Sequence, residues 1–179
     1  GVGMGITGTE VSKNVSDMVL TDDNFATIVK AVEEGRKIYS NIQKTIQFLL
    51  ACNLGEVLTL FIGTMLSWTV LSPIHILWIN LITDTLPALS LGMEKAEPGI
   101  MKRKPRPARS SFYSGGVGTD IIYQGIIEGI LTLFAFYIGS FIGPNASVGA
   151  GVTMAFATLG IIQVFHTFNV RSGRESLLK

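Results

Sequence analysis

Two carboxylates lie inside apolar stretches of the sequence with no Lys or Arg near them. Glu56 and Asp84 both fall between Lys44 and Lys95, and this interval contains no Lys or Arg. A charge at bilayer depth costs at least about 2.5 to 3.5 kcal/mol, so an ionisable group retained there needs a partner or a function. Because the interval supplies no Lys or Arg as a partner, the two acids predict a site for a metal cation.

Amide and hydroxyl side chains accompany both acids at helical spacing. Residues three or four apart share one face of a helix, which is how Asn53 relates to Glu56 and Asn80 to Asp84. These side chains offer hard oxygen without imidazole or thiolate, which favours Ca²⁺, with about 6 to 8 oxygen ligands, over the tighter octahedron of Mg²⁺. Further ligands are expected from a helix outside this chain. The candidate metal ligands are Asn53, Glu56, Asn80, Thr83 and Asp84, with Gln163 as a candidate additional ligand.

Pro87 adds a second signal beside Asp84. Proline cannot donate a hydrogen bond to the carbonyl of Thr83 and clashes with it, so we expect a break in the helix at this point. Freed backbone oxygens at membrane depth are tolerated where they face a polar site, as in the discontinuous helices of transporters. The alternatives are a purely structural kink and a protonated Glu56 bonded to a neighbouring helix. Glu128, in another apolar stretch, is expected to be buried by a hydrogen bond outside the site.

The composition predicts a chain that is largely embedded in lipid. Apolar residues make up 47% of it, charged residues 15%, and the mean hydropathy is +0.45. Four apolar segments, at 46–66, 73–93, 118–142 and 152–170, are long enough to span about 30 Å of hydrocarbon. The single cysteine, Cys52, excludes an internal disulfide framework. The formal charge of +1 carries no information about nucleic acid, but the basic residues cluster near segment ends rather than along one binding face, so no nucleic-acid partner is expected.

The basic residues also predict the orientation of the four spans. The connectors at 67–72 and 143–151 carry no charge, whereas the loop at 94–114 is strongly basic. By the positive-inside rule that loop is cytoplasmic, and the N-terminus and the tail at 171–179 then lie on the same side. We expect an integral protein of the plasma (inner) membrane. The basic residues of the loop are Lys95, Lys102, Arg103, Lys104, Arg106 and Arg109.

The first forty-five positions differ in kind from the rest. Short apolar runs at 2–6 and 18–20 bracket a polar stretch, which is typical of α/β structure. Asp22, Asp23 and Asn24 then offer a helix start, and no proline occurs until Pro73, so one helix should run from 25 into the membrane. The predicted fold is mainly α: a polytopic bundle of four transmembrane helices with a small α/β portion at the N-terminus. We expect close helix packing at Gly55, against the G-x-x-x-G of Gly125 and Gly129.

Three sequence motifs resemble one family. They are Asn-Leu-Gly-Glu at 53–56, Trp-Ile-Asn-Leu-Ile-Thr-Asp-Thr-Leu-Pro-Ala at 78–88, and the segment at 22–36 that begins Asp-Asp-Asn-Phe-Ala-Thr. All three are similar to P-type calcium-transporting ATPases of the sarcoplasmic-reticulum-like type, with a bacterial source expected.

The resemblance implies a domain layout. Positions 1–24 correspond to the end of a haloacid-dehalogenase-like phosphorylation domain, 25–45 to a cytoplasmic stalk helix, and the four spans to membrane helices five to eight. The actuator domain, nucleotide domain, phosphorylated aspartate and first four helices would belong to the same pump outside this chain. ATP and Mg²⁺ would bind there, and the chain alone is expected to be inactive.

The resemblance also implies a mechanism for the candidate ligands. The five residues would coordinate the transported Ca²⁺, with Asp84 central. Gln163 stands where sarcoplasmic-type pumps carry a glutamate, which implies one Ca²⁺ per cycle, and Glu56 could return a proton. The implied function is calcium export from the cytoplasm. The alternatives are a pump for another cation such as Mn²⁺, half of a gradient-driven secondary transporter, and a membrane remnant without activity of its own.

Overall fold

The computed structural model describes residues 1–105, 107, 113 and 116–171. Three basic residues on which the orientation argument depends, Arg106, Arg109 and Arg174, lie outside the described residues, as does the predicted tail beyond Arg171. The chain divides into two compact units: Gly1–Tyr39 with Lys95–Lys104, and Ser40–Glu94 with Pro105–Lys179.

The first unit contains a small α/β element. Strand β1 (Val2–Met4) pairs in parallel with strand β2 (Met18–Leu20), and helix α1 (Glu10–Asn14) lies between them in sequence. The hydroxyl of Thr9 caps α1 by accepting from the amide of Ser12. Elsewhere in this unit, the guanidinium of Arg36 donates to the carbonyls of Ile100 and Arg103, each over 2.9 Å. Those carbonyls flank a single 3₁₀ turn at Ile100–Lys102.

Helix α2 is the longest element and contributes residues to both units. It runs without interruption over Ala26–Met65, 40 residues, or about 60 Å at 1.5 Å per residue. The side chain of Asn24 accepts from the amide of Ala26 at its start, as the predicted helix signal required. It ends where Ser67 adopts a positive φ of 57°. The predicted span at 46–66 therefore lies at the C-terminal end of one long helix.

The second apolar segment is helical throughout, which corrects the expected break at Pro87. Helix α3 (Pro73–Trp78) passes into a π-helical segment (Ile79–Asp84) and then into helix α4 (Thr85–Gly92). The π segment ends at Asp84, so a new α-helix begins at Thr85 and Pro87 lies in its first turn. Proline is tolerated at this position, because a missing N–H in the first turn breaks no α-helical hydrogen bond. The hydroxyl of Thr85 donates to the carbonyl of Asn80 over 2.9 Å.

The remaining spans are helices α5 (Val117–Phe141) and α6 (Val148–Arg171), which cross closely. An ideal Cβ on Gly139 would lie 2.8 Å from the Cα of Gly151, so the two backbones are in direct contact. One core cluster lies at this end of the second unit and includes Ile79, Phe136 and Leu159. Trp68, in the uncharged connector, packs on the ring of Phe136 at 5.5 Å.

Within the described residues, four helical stretches are long and apolar enough to cross a membrane: Ala26–Met65, Pro73–Gly92, Val117–Phe141 and Val148–Arg171. Large apolar side chains on their outer faces are exposed, among them Phe61, Leu81 and Phe165. A water-soluble domain would bury such residues, whereas lipid or further helices can cover them. The predicted fold class, a helical membrane bundle with a small α/β portion, is confirmed.

Candidate cation site

Glu56 on α2 lies at the centre of the polar cluster inside the second unit. Its side chain is only 4% exposed. The amide of Asn80 donates to Oε2 over 3.1 Å, and the amide of Gln163 donates to Oε1 over 3.1 Å. Three helical segments therefore meet at one carboxylate. Both amides donate hydrogen bonds to it, but neither neutralises its charge. The structure brings together three of the predicted ligands at this point.

Asp84 is the second buried acid of the cluster. It is 3% exposed, and neither Oδ1 nor Oδ2 has a hydrogen-bond partner among the described residues. Its charge lies close enough to that of Glu56 for the two to interact. A buried carboxylate without donors is costly, and two adjacent ones repel each other. Both costs would be relieved by a cation held between them.

The π-helical segment positions Asp84 and its neighbours. Asn80 bonds both to Glu56 and to the carbonyl of Ile76 in its own helix. The hydroxyl of Thr83 donates to the carbonyl of Ile79 over 2.7 Å, and the methyl of Thr83 lies near Gly160 of α6. A free oxygen lone pair on Thr83 remains available to a ligand. Asp84 closes the π segment, so a change in its winding would rotate this carboxylate.

Asn53 is a predicted ligand that the structure does not bring to the cluster. Its side chain is exposed and donates to the carbonyl of Leu49 on its own helix over 2.7 Å. It lines a largely apolar groove with Val57, Ile121 and others, and Glu56 is not among the residues that line this groove. Its assignment as a ligand remains a prediction that requires another rotamer.

Glu128 on α5 is an acid of the cluster that the sequence argument placed outside the site. It is 2% exposed, and its two carboxylate oxygens have no hydrogen-bond partner among the described residues, contrary to expectation. Its charge interacts with those of both Asp84 and Glu56. A signal was present in the sequence, since Gln124 and Thr132 flank Glu128 at four residues on either side.

Glycines bring α5 close enough to α2 for this contact. An ideal Cβ on Gly55 would lie 2.9 Å from the Cβ of Glu128, and one on Gly129 would lie 3.3 Å from the carbonyl oxygen of Gly55. A Cβ on Gly125 would meet Leu54 at 2.8 Å. The predicted packing of the G-x-x-x-G against Gly55 is confirmed. No larger residue at these positions would allow the same approach.

The oxygen atoms that the cluster offers as metal ligands fit a hard divalent cation. Carboxylate and amide oxygens from α2, the π segment and α6 converge, and Oε1 of Gln163 is buried with no partner in the described part of the chain. Within the same residues, no three His, Cys, Asp or Glu side chains converge as ligands of one ion. Any bound cation would therefore combine two carboxylates with amide, hydroxyl or backbone oxygens.

Comparison with known proteins gives concordant matches. Residues 68–179 match the family described as cation transporting ATPase, C-terminus. The chain is 52% identical over 193 aligned positions to calcium-transporting ATPase 1 of Bacillus cereus, covering 99% of this chain and 22% of the relative. It is 46% identical to the calcium-transporting ATPase of Bacillus subtilis, with coverage of 96% and 19%. It is 44% identical to calcium-transporting ATPase lmo0841 of Listeria monocytogenes, covering 98% of this chain and 20% of the relative.

The chain thus spans about a fifth of the length of the curated relatives it matches. The matches confirm the resemblance that the motifs at 22–36, 53–56 and 78–88 predicted. Together with the four apolar helices, they identify a multi-pass integral membrane protein. The chain belongs to the cation-transporting ATPase family and contains the C-terminal part that defines it.

Proposed function

We propose that this chain is the cation-binding membrane part of an ATP-driven pump that exports Ca²⁺ from the cytoplasm. The observation that carries the proposal is the buried carboxylate of Asp84, which has no hydrogen-bond donor among the described residues and whose charge interacts with that of the amide-bonded carboxylate of Glu56. Such a pair is favourable only when a cation or protons neutralise it. Relatives named calcium-transporting ATPases, at 44 to 52% identity, support Ca²⁺ as that cation.

The proposed ligands of the transported ion are Glu56, Asn80, Thr83 and Asp84, with Gln163 as a further oxygen and Asn53 after a change of rotamer. Two negative charges match one divalent ion, so we propose one Ca²⁺ per cycle. The amide at Gln163 adds an oxygen without adding a third charge at that position. Mn²⁺ also accepts carboxylate and carbonyl oxygen, so it remains the second candidate cargo.

Charge balance links Ca²⁺ export to protons in this proposal. After the ion leaves, Glu56 and Asp84 would remain as two buried negative charges with no Lys or Arg between Lys44 and Lys95 to neutralise them. Protons taken up from the outside would neutralise the pair during the return step. Uptake of Ca²⁺ into sealed vesicles should therefore be accompanied by proton movement in the opposite direction.

Energy would reach the site through parts of the pump outside this chain, where ATP and Mg²⁺ would bind. Helix α2 contains Glu56 and extends without interruption back to Ala26. A displacement of its N-terminal half by phosphorylation would therefore move Glu56 relative to Asp84, lowering affinity for the ion. Family membership favours this ATP-driven cycle over a gradient-driven transporter. Because the loop at 94–114 is strongly basic, we also propose that this loop and the N-terminus are cytoplasmic, in a protein of the plasma membrane.

The proposal is tested by Ca²⁺ uptake into sealed vesicles that contain the full-length pump. Uptake should require ATP and stop with vanadate, whereas uptake driven by an ion gradient without ATP would support the rival transporter. Asp84→Asn preserves shape but removes one charge, and should raise the half-saturating Ca²⁺ concentration by about two orders of magnitude. Unchanged Ca²⁺ affinity in this variant would refute the assignment of the site. Repeating the titration with Mn²⁺ decides the preferred cargo.

A further inference from the structure

We propose that Glu128 is a third acidic group of the cation site and that its charge contributes to binding the transported divalent ion. The proposal rests on the function proposed above, and adds to it an acid on α5, a helix that supplies none of the predicted ligands.

The first support is the position of Glu128 against the site helix. The side chain packs on the bare backbone of Gly55, next to Glu56, and an ideal Cβ on Gly55 would lie 3.1 Å from its Oε2. The acid is 98% buried, since only 2% of the residue is exposed. It therefore lies inside the bundle at the level of Glu56 rather than towards lipid.

The second support is the absence of a hydrogen-bonding partner for the carboxylate within the described residues. The hydroxyl of Thr132 donates to the backbone carbonyl of Glu128, and that of Thr59 donates to the carbonyl of Gly55. The amide oxygen of Gln124 accepts from the amide of Gln47. The hydroxyls of Thr59 and Thr132 are thus bonded to backbone carbonyls, whereas a carboxylate buried for packing alone is expected to have a hydrogen-bond donor.

The third support is the charge of the surroundings. Glu128 interacts electrostatically with Asp84 and Glu56, and all three are acids. The sequence contains no Lys or Arg between Lys44 and Lys95 or anywhere in 117–170. A divalent ion at the Glu56 and Asp84 pair would relieve this repulsion. Attraction through low-permittivity protein acts over several ångströms, so Glu128 need not become a direct ligand.

The experiment is a Ca²⁺ titration of ATP-driven uptake by the full-length pump in sealed vesicles. Glu128→Gln, which keeps the shape and removes the charge, should raise the half-saturating Ca²⁺ concentration by about tenfold. Glu128→Asp, which keeps the charge, should remain within about threefold of the unchanged protein. Thr132→Val, one turn along α5, serves as the matched control and should leave the titration unchanged. The half-saturating ATP concentration should be the same in every variant.

The outcomes separate this inference from the proposed function. If Asp84→Asn weakens Ca²⁺ binding while Glu128→Gln does not, Glu128 has only a packing role and the inference is overturned. If Asp84→Asn also has no effect, the function itself is refuted. Should Glu128→Gln fail to accumulate as folded protein, Glu128→Leu replaces the acid by an apolar side chain of similar size. Its Ca²⁺ affinity is then decisive in the same way.

Discussion

The amide Nε2 of Gln163 on α6 donates to Oε1 of Glu56 on α2 over 3.1 Å, a contact between residues 107 positions apart in the sequence. The amide of Asn80 holds the other oxygen at the same distance. The carboxylate is therefore fixed from two sides by neutral donors. The carboxylate of Glu56 is thus held in one orientation while keeping its charge, so less side-chain entropy is lost when a cation binds.

Replacing Gln163 by Leu should destabilise the Ca²⁺-free protein. Oε1 of Glu56 would lose its donor while remaining buried, at a cost of about 1 to 3 kcal/mol. The thermal inactivation midpoint of the detergent-solubilised pump in a Ca²⁺ chelator reports this loss. Thr167→Val is the matched control on α6, because that hydroxyl donates to the backbone carbonyl of Gln163 and not to the acid. Equal midpoints for the two variants would contradict the assigned role.

The sequence predicted those features that depend on local chemistry and on the bilayer. The length of an apolar segment decides whether it can span the bilayer, so the four spans could be located from the sequence. The long helix was predicted because no proline occurs before Pro73. Glu56 and Asp84 were identifiable because a lone acid in such a span is costly. Small residues four apart predicted the packing of Gly125 and Gly129 on Gly55, since they allow close backbone approach.

The sequence could not predict features that depend on the arrangement of helices. Spacing along α2 puts Asn53 and Glu56 about 60° apart around the axis, but the neighbouring helices decide which of them is buried. Glu128 joins the cluster only because Gly55 admits α5 at that height. Proline chemistry predicted a disturbance near Asp84, yet whether a helix breaks or widens depends on packing around the π segment.

Gly151 lies where α5 and α6 are in close contact, so a larger residue there should destabilise the bundle. An ideal Cβ there would lie 1.9 Å from Oγ of Ser140 and 2.8 Å from the carbonyl oxygen of Phe136. Gly151→Ala should therefore destabilise the bundle by about 1 to 3 kcal/mol through overpacking. Gly149→Ala, two residues earlier on α6, meets only Oγ of Ser147 at 4.0 Å and should be neutral or slightly stabilising. Thermal inactivation in detergent distinguishes them, and equal losses would argue against this helix crossing.

Lys44 stabilises the C-terminal end of α6. Its ammonium group is buried and donates to the carbonyl of Arg171 over 2.7 Å, where a cation is favoured by the helix dipole. Lys44→Met keeps the length of the side chain but removes the donor, with an expected cost of about 1 to 3 kcal/mol. Lys37→Met, earlier on α2, breaks a surface pair with Glu34 and should cost well under about 1 kcal/mol. Proteolysis rates of the C-terminal end of α6 measure the difference.

Asp23 should make the first unit sensitive to acid. Its carboxylate accepts from the hydroxyl of Thr7 and from the amides of Ile6 and Thr7, which lowers its pKa to about 2 from the usual 3.8. Because the folded pKa is depressed, this stabilisation is complete above about pH 4 and is lost as the pH falls through about 2. Hydrogen exchange at the Ile6 amide, corrected for intrinsic rate, should accelerate over that range. Asp23→Asn should abolish the pH dependence, whereas Asp22→Asn should preserve it.

Pro87 offers a test of whether the π-helical segment sets the geometry of the site. Pro87→Ala supplies an N–H four residues after Thr83 and allows regular α-helical bonding to extend back from α4. Loss of the π turn would rotate Asp84 by up to about 100° per residue of register, away from its position beside Glu56. Ca²⁺ affinity should then fall by about tenfold or more, while thermal stability stays equal or rises, since a helical proline is removed.

Leu86→Ala, at an exposed neighbouring position, is the matched control and should leave Ca²⁺ affinity unchanged. Full Ca²⁺ affinity in the Pro87→Ala pump would show that the position of Asp84 is fixed by packing against other helices rather than by this turn.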